Sequence, residues 1–201
     1  MTDSHSNIDY RRARFLISAP ALRNCPADHG AEIAFCGRSN SGKSSALNAL
    51  TDQRKLARTS KTPGRTQQIV FFELDTEHRL VDLPGYGFAR VSEAVKQQWQ
   101  RELAAYLRGR ESLRGLVLLV DIRRLITEFD ANMLDWCAAT SLPVHILLTK
   151  TDKLSKNKSS SALASVRKQL KDRSQVSIQL FSATAGTGIG EARQLLDQWF
   201  S

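Results

Sequence analysis

At 201 residues, with 41% hydrophobic and 24% charged side chains, the chain has the length and balance of a single globular domain with a sizeable core. No apolar run approaches the length of a membrane span, and three widely spaced cysteines (Cys25, Cys36, Cys137) argue against a disulfide scaffold and against zinc-ligand spacing. The net charge of +9 and a pI near 9.8 point instead to a polyanionic partner such as RNA.

Residues 1–30 read as an N-terminal extension and residues 31–201 as one nucleotide-binding domain. The polar start, residues 1–10, holds no signal-peptide apolar region, and a buried reduced thiol is expected at Cys36, so the chain is expected in the cytoplasm. Phe15, Leu16 and Ile17 either pair as a short extension of the sheet or pack as a flap. Residues 32–36 are a strand candidate and residues 44–50 a helix candidate. Between them Gly37, Arg38, Ser39, Asn40, Ser41, Gly42, Lys43 and Ser44 complete the pattern G-x-x-x-x-G-K-[ST]. A glycine-rich turn from strand to helix aims backbone N–H groups and the positive end of the helix dipole at one point, which suits a phosphate. Lys43 then reaches the β- and γ-phosphates, and the Ser44 hydroxyl ligates the bridging Mg2+. An ordinary Gly-Ser turn would require neither the lysine nor these flanks.

Residues 53–66 are polar and broken by Pro63 and Gly64, which reads as a loop; it carries Arg54, Lys55, Arg58, Lys61 and Arg65 and no acid. A GTP switch needs a threonine here whose hydroxyl joins Mg2+ when γ-phosphate is present. Of Thr59, Thr62 and Thr66, the last is preferred because it directly precedes the strand starting near Gln67. Residues 68–74 and 79–82 are strands across a turn short enough for a hairpin, which makes the first an antiparallel edge strand. Asp82, Leu83, Pro84 and Gly85 spell D-x-x-G 39 positions after Lys43. Asp82 is placed to hold Mg2+ through a water, and the Gly85 N–H to meet the γ-phosphate; without a phosphate loop upstream, the string would be a plain turn. Tyr86 stands where many GTPases carry a water-orienting glutamine, so slow intrinsic hydrolysis is expected, with rate supplied by a partner.

Residues 91–107 are amphipathic, with Val95, Trp99, Leu103 and Tyr106 at helical spacing. Strands follow at 116–120, 144–148 and 176–181, with helices near 127–139, 160–171 and 189–200. Thr149, Lys150, Thr151 and Asp152 close the strand at 144–148. An aspartate there can accept from the N1–H and 2-amino groups of guanine, a pair that adenine lacks; otherwise it caps a helix. Lys150 packs along the base plane or braces the phosphate loop. Ser182, Ala183 and Thr184 follow the next strand and would place the Ala183 amide on the guanine O6. Between Lys150 and Arg173, eight basic residues face only Asp152 and Asp172. Short apolar strands alternating with helices predict an α/β three-layer fold: a mostly parallel, six-stranded sheet with one antiparallel edge strand and helices on both faces. Ligands of such sheets bind beyond the carboxyl ends of the strands, where every motif above falls.

With these boxes in hand, the strings at 37–48 (G-R-S-N-S-G-K-S-S-x-L-N), 62–67 (T-P-G-R-T-Q) and 82–88 (D-L-P-G-Y-G-F) closely resemble the EngB family, also called YihA or YsxC, from about Ala13 to the C-terminus. The resemblance implies a P-loop GTPase of translation-factor type that serves large ribosomal subunit assembly and normal septation. It implies GTP or GDP contacts from Gly37–Ser44, from Gly64, Arg65, Thr66, Gln67 and Gln68, from Asp82–Gly85, from Thr149–Asp152, and from Phe181, Ser182 and Ala183. It implies Mg2+ on Ser44 and Thr66, with Lys43, Thr66, Gly85 and Asn40 as the residues assisting hydrolysis. Asn40 enters because related GTPases use an asparagine here to hold K+ in place of an arginine finger. Ser41 replaces a common valine and is expected to point off the loop; Thr149 replaces a common asparagine, which puts a hydrogen bond to the phosphate loop in question. The partner implied is the large ribosomal subunit or its precursor, met by ribosomal-RNA contacts around Arg54–Arg65 and Lys150–Arg173, with no membrane and a monomeric protein. A P-loop ATPase or nucleoside kinase would share residues 37–44 but not the boxes at 149–152 and 182–184. A non-catalytic RNA-binding or cell-division adaptor would hold GTP only as a structural ligand.

Overall fold

The computed structural model describes residues 8–57, 68–86 and 93–201. Seven strands, β1 (Arg14–Ala19), β2 (Ala31–Gly37), β3 (Ile69–Glu73), β4 (His78–Asp82), β5 (Leu113–Asp121), β6 (Val144–Thr149) and β7 (Val176–Leu180), form one sheet in the order β1-β3-β4-β2-β5-β6-β7. β3 runs against both of its neighbours, β1 and β4, while β4, β2, β5, β6 and β7 are parallel. The expected six strands are therefore joined by a seventh. Arg14–Ala19 pairs with β3, so the antiparallel strand lies one in from the edge and the sheet extension, rather than the flap, is the outcome.

Among the described residues, five α-helices cover the two faces: α1 (Lys43–Leu50), α2 (Glu93–Gly109), α3 (Glu128–Ala139), α4 (Lys156–Gln169) and α5 (Ile189–Phe200). The alternation within each strand explains both layers. Ala34 and Cys36 of β2 and Leu116, Leu118 and Val120 of β5 pack with Leu103, Tyr106 and Leu107 of α2, Met133 and Leu134 of α3 and Val166 of α4. The intervening Ile33, Phe35, Val117 and Leu119 pack with Ala46, Leu47 and Leu50 of α1 and Ala192, Leu196 and Phe200 of α5. Strands buried on both faces read as continuous apolar runs, as parallel sheets require.

Two boundaries differ from expectation by three residues or more. α4 begins at Lys156 rather than near 160, because the Ser155 hydroxyl accepts from the Lys158 N–H and caps a first turn too polar to show helical periodicity. β5 begins at Leu113, ahead of its continuous apolar run. Among the described residues, no helix is long and apolar enough to cross a membrane. The chain's free thiols include Cys36, which is wholly buried and whose titration burial pushes far up.

Candidate functional site

β2, β4, β5, β6 and β7 end on one edge of the sheet, at Gly37, Asp82, Asp121, Thr149 and Leu180, and the loops that follow them meet there. The loop from β2 to α1 turns through two left-handed residues, Asn40 (φ 65°) and Gly42 (φ 99°). Gly42 then sits at the N-cap of α1 with no side chain to cap it, leaving the first amides of the helix open to a ligand. Gly37 is required by contact, since a Cβ there would lie 2.6 Å from the Ser41 hydroxyl and 2.7 Å from the Leu119 carbonyl oxygen. Ser41 faces inward against Gly37: it is 3% exposed, and its buried hydroxyl has no hydrogen-bond partner among the described residues.

The neighbouring loops hold this turn by hydrogen bonds. The Ser39 N–H donates to the Tyr86 carbonyl at 2.7 Å, and the Leu83 N–H to the Phe35 carbonyl at 2.9 Å. Lys43 of α1 ion-pairs with Asp82 at the end of β4, both side chains being largely buried. The Thr149 hydroxyl donates to the Ser41 carbonyl at 2.5 Å, so the contact put in question by the absence of asparagine is made by threonine. Lys150, left-handed at φ 63°, places its ammonium on the Asn40 carbonyl and 3.0 Å from Asp121. Of its two expected roles, the bracing of the phosphate loop is what the structure displays.

Asp121 is a site residue the sequence reading missed; its one signal is an acid at the end of an apolar strand, as at Asp82. The Arg123 guanidinium, 2.7 Å away, holds its carboxyl well below the usual carboxylate range, with Lys150 adding to the effect against burial. Asp152 accepts from the Ser182 hydroxyl at 2.7 Å and pairs with Lys153 at 2.9 Å, which together lower its titration and keep it ionised. Thr151 donates to the Phe181 carbonyl from both its N–H and its hydroxyl, tying the loop after β6 to the loop after β7. Ser182 is fully buried and Ala183 partly exposed beside it.

Gly85 is different from Gly37. A Cβ at Gly85 would find its nearest neighbours at 3.6–3.7 Å, ordinary contact with Gly37 and Ser39, so packing alone does not demand glycine there. Tyr86 turns away from the loops. Its ring is 3% exposed and stacked on Phe129 with centroids 4.0 Å apart, and its hydroxyl donates to Asp130. Asp130 is itself fixed by the capping box with Thr127 at the start of α3. Burial and the Asp130 carboxylate push the phenol far above its ordinary range.

Hard oxygen donors lie side by side here: the Ser44 hydroxyl follows Lys43, and the Asp82 carboxylate touches Lys43. Among the described residues there is no cluster of three or more His, Cys, Asp or Glu side chains that could cage a metal. One hydroxyl and one carboxylate fit Mg2+, which keeps water and phosphate oxygens as its other ligands. Gly64, Arg65, Thr66 and Gln67 lie outside the described residues, as do Thr59, Thr62, Arg58, Lys61, Gly87, Phe88 and the side chains of Val95 and Trp99. Gln68 lies at the rim of the described part, where its side-chain carbonyl accepts from the Ser18 hydroxyl at 2.5 Å.

The family model described as 50S ribosome-binding GTPase matches residues 32–150, from the start of β2 through the loop after β6. A probable GTP-binding protein EngB of Shewanella putrefaciens is 53% identical over 99% of this chain and 92% of its own length. The crystal structure of a probable GTP-binding protein EngB covers 85% of this chain and 98% of its own, with a TM-score of 0.68 at 23% identity. That of Era, solved with MgGDPNP and a segment of 16S ribosomal RNA, covers 85% of this chain and 57% of its own, with a TM-score of 0.66 at 20% identity.

Proposed function

The chain belongs to the EngB family of GTP-binding proteins, within the P-loop GTPases, and from that membership we propose that it is a slow, GTP-driven switch acting on the large ribosomal subunit during its assembly, in the cytoplasm and as a monomer. The observation that carries the reading is the junction of the loops after β2 and β6. Thr149 and Lys150 hold the backbone of the 37–44 loop while Asp152, two residues on, stands ionised next to the loop after β7. A base read by Asp152 and Ala183 is thereby held in register with phosphates cradled by Gly37–Ser44.

In this reading Lys43 would leave Asp82 for the phosphate oxygens, and Ser44 and Thr66 would hold Mg2+ with Asp82 accepting from one of its waters; the ion, when bound, would supply neutralisation of phosphate charge. The remaining family contacts, from Gly64 to Gln68, from Leu83 and Pro84, and from Phe181 and Ser182, line the same ligand. Tyr86, committed to Phe129 and Asp130, has no side chain to spare for the attacking water, which supports a low intrinsic rate. Potassium held near Asn40 is the proposed alternative to an activating partner, and equal turnover in sodium and potassium chloride would remove it.

The basic surface supports an RNA partner. Lys150 is consumed inside the site and Arg173 pairs with Asp135 at 2.7 Å. Lys156, Lys158, Arg167, Lys168 and Lys171 are exposed and form no ion pair among the described residues. Era, of the same fold, is known with ribosomal RNA bound. A role in normal septation is part of the same proposal. The test is co-sedimentation with large subunits and their precursors, with GTP analogue or GDP, in wild type and Lys43→Ala. Binding only in the triphosphate state, lost in Lys43→Ala, is the expected result; indifference to nucleotide would overturn the switch. Displacement of bound GTP by equimolar ATP would instead favour an ATPase or kinase, and ribosome-independent absence of phosphate release a non-catalytic adaptor.

A further inference from the structure

The loop from Phe181 to Gly188 is tied down at both ends, and the second tie involves residues without a nucleotide-facing role in any motif. At its start, Ser182 donates its hydroxyl to Asp152 and its N–H to the Thr187 carbonyl at 3.0 Å, while the Ala185 N–H donates to the Ser182 hydroxyl at 3.1 Å. At its end, the Gln179 amide nitrogen lies 2.7 Å from the Gly188 carbonyl. A carbonyl can only accept, so Gln179 must present its NH2 to Gly188 and its Oε1 in the opposite direction. There the His145 Nε2 lies 2.9 Å away and must carry the ring proton; the Nδ1 then accepts from the Ser177 hydroxyl at 2.7 Å. Burial favours this neutral form of the imidazole.

Register explains why the relay exists. His145 pairs with Ser177 and Leu147 with Gln179 across β6 and β7, so His145, Ser177 and Gln179 share one face of the sheet, and Gly188 folds back over it at the N-cap of α5. The shortest contacts define this orientation; the longer alternatives, from the Ser177 hydroxyl to the Val144 carbonyl at 3.5 Å and from the Gln179 amide to the Leu180 carbonyl at 3.4 Å, leave the Gln179 NH2 on the Gly188 side. A change at His145 thus frees the Gln179 amide to flip, and a flipped amide would set its oxygen against the Gly188 carbonyl.

We propose that His145 and Gln179 are positioning residues for purine recognition: through Gly188 they fix the loop that presents the Ala183 N–H to the 6-oxygen of guanine. The inference rests on the guanine reading of Asp152 and Ala183 given above. It predicts an effect largest at position 6 of the base, since the Gln179 tie acts at the end of the loop, whereas Asp152 is held by Ser182 at its start and by Lys153 from outside it.

The experiment is equilibrium binding of GDP, 6-thio-GDP and ADP, with Mg2+, to wild type, Gln179→Met, His145→Phe and His145→Gln, each checked by thermal unfolding. 6-Thio-GDP keeps the N1–H and 2-amino groups and replaces only the 6-oxygen by a larger, weaker acceptor. Wild type should prefer GDP to 6-thio-GDP. Gln179→Met should weaken GDP about fivefold, the worth of one neutral hydrogen bond, and shrink the preference over 6-thio-GDP by a similar factor. His145→Phe should act in the same direction, and His145→Gln, whose amide can donate from the place of Nε2, should restore both values. Equal weakening of GDP and 6-thio-GDP, or an unchanged preference in both folded variants, would mean the relay only supports the sheet and overturns the proposal. Wild type binding ADP as tightly as GDP would instead remove the guanine reading itself, and the proposal with it.

Discussion

At Ser41 the side chain and the backbone do different work. The buried hydroxyl, without a partner among the described residues, carries a desolvation penalty, while the contact to Thr149 is made by the backbone carbonyl. Ser41→Ala should therefore raise stability by about 1 kcal/mol with nucleotide affinity unchanged, measured by chemical unfolding and GDP titration. Gly85→Ala makes the opposite separation. The Cβ meets nothing closer than 3.6 Å, so the variant should unfold like wild type yet lose the triphosphate preference, read as the ratio of GTP-analogue to GDP affinity. His145 supplies a pH dependence. Burial holds its pKa below the ordinary 6.5, so the unfolded chain binds the proton more readily. Stability from this group is complete above pH 6.5, falls as pH drops below 6.5, and stops falling once pH passes the lowered native value. His145→Gln should flatten that part of a stability profile between pH 7 and 5. At this scale the phosphate loop and Asp152 were legible because their chemistry depends on local spacing. Ser41, Asp121 and the His145–Gln179 pair were not, since their roles are set by partners on other strands.

At the scale of elements, the edge opposite the site carries an ionic knot that fastens α2 to the sheet. Glu32 of β2 is fully buried, with Arg79 of β4 2.9 Å away and Arg110, just past the end of α2, at 2.6 Å; the Tyr106 hydroxyl donates to it at 3.1 Å. Arg110 also donates to the Pro26 carbonyl at 2.8 Å, drawing in the segment before β2. Glu32→Gln would leave the buried Arg79 without a carboxylate among the described residues and Arg110 with only Asp28, 3.5 Å away. A loss of about 3–5 kcal/mol is expected in chemical unfolding, against a much smaller loss for Arg11→Gln, whose pair is exposed. The helices and central strands were legible from apolar periodicity. β1 was only half legible: three exposed apolar residues, Phe15, Leu16 and Ile17, show no alternation, and the register shifts between Phe15 and Ile17. The start of α4 was hidden because a polar first turn depends on its cap rather than on a buried stripe.

For the whole molecule, charge and sheet direction decide what faces what. β2, β4, β6 and β7, parallel strands, deliver the described nucleotide motifs to one edge, and the exposed cations of α4, with Lys171 just past its end, lie between the last two of them in the chain. Reversing two of these, Arg167→Glu with Lys171→Glu, should weaken sedimentation with large subunits and flatten its dependence on salt, because fewer counterions are released. GDP affinity should stay at the wild-type value, since neither residue reaches the site loops. The knot at Glu32 has a mechanical meaning as well. α2 begins at Glu93 and is pinned at its C-terminal end by Tyr106 and Arg110. Seventeen residues of helix make a rod about 25 Å long. With its C-terminal end fixed at Glu32, the rod cannot slide along its axis without breaking the knot, and a turn of about 2° about that anchor moves a point about 25 Å away by one ångström.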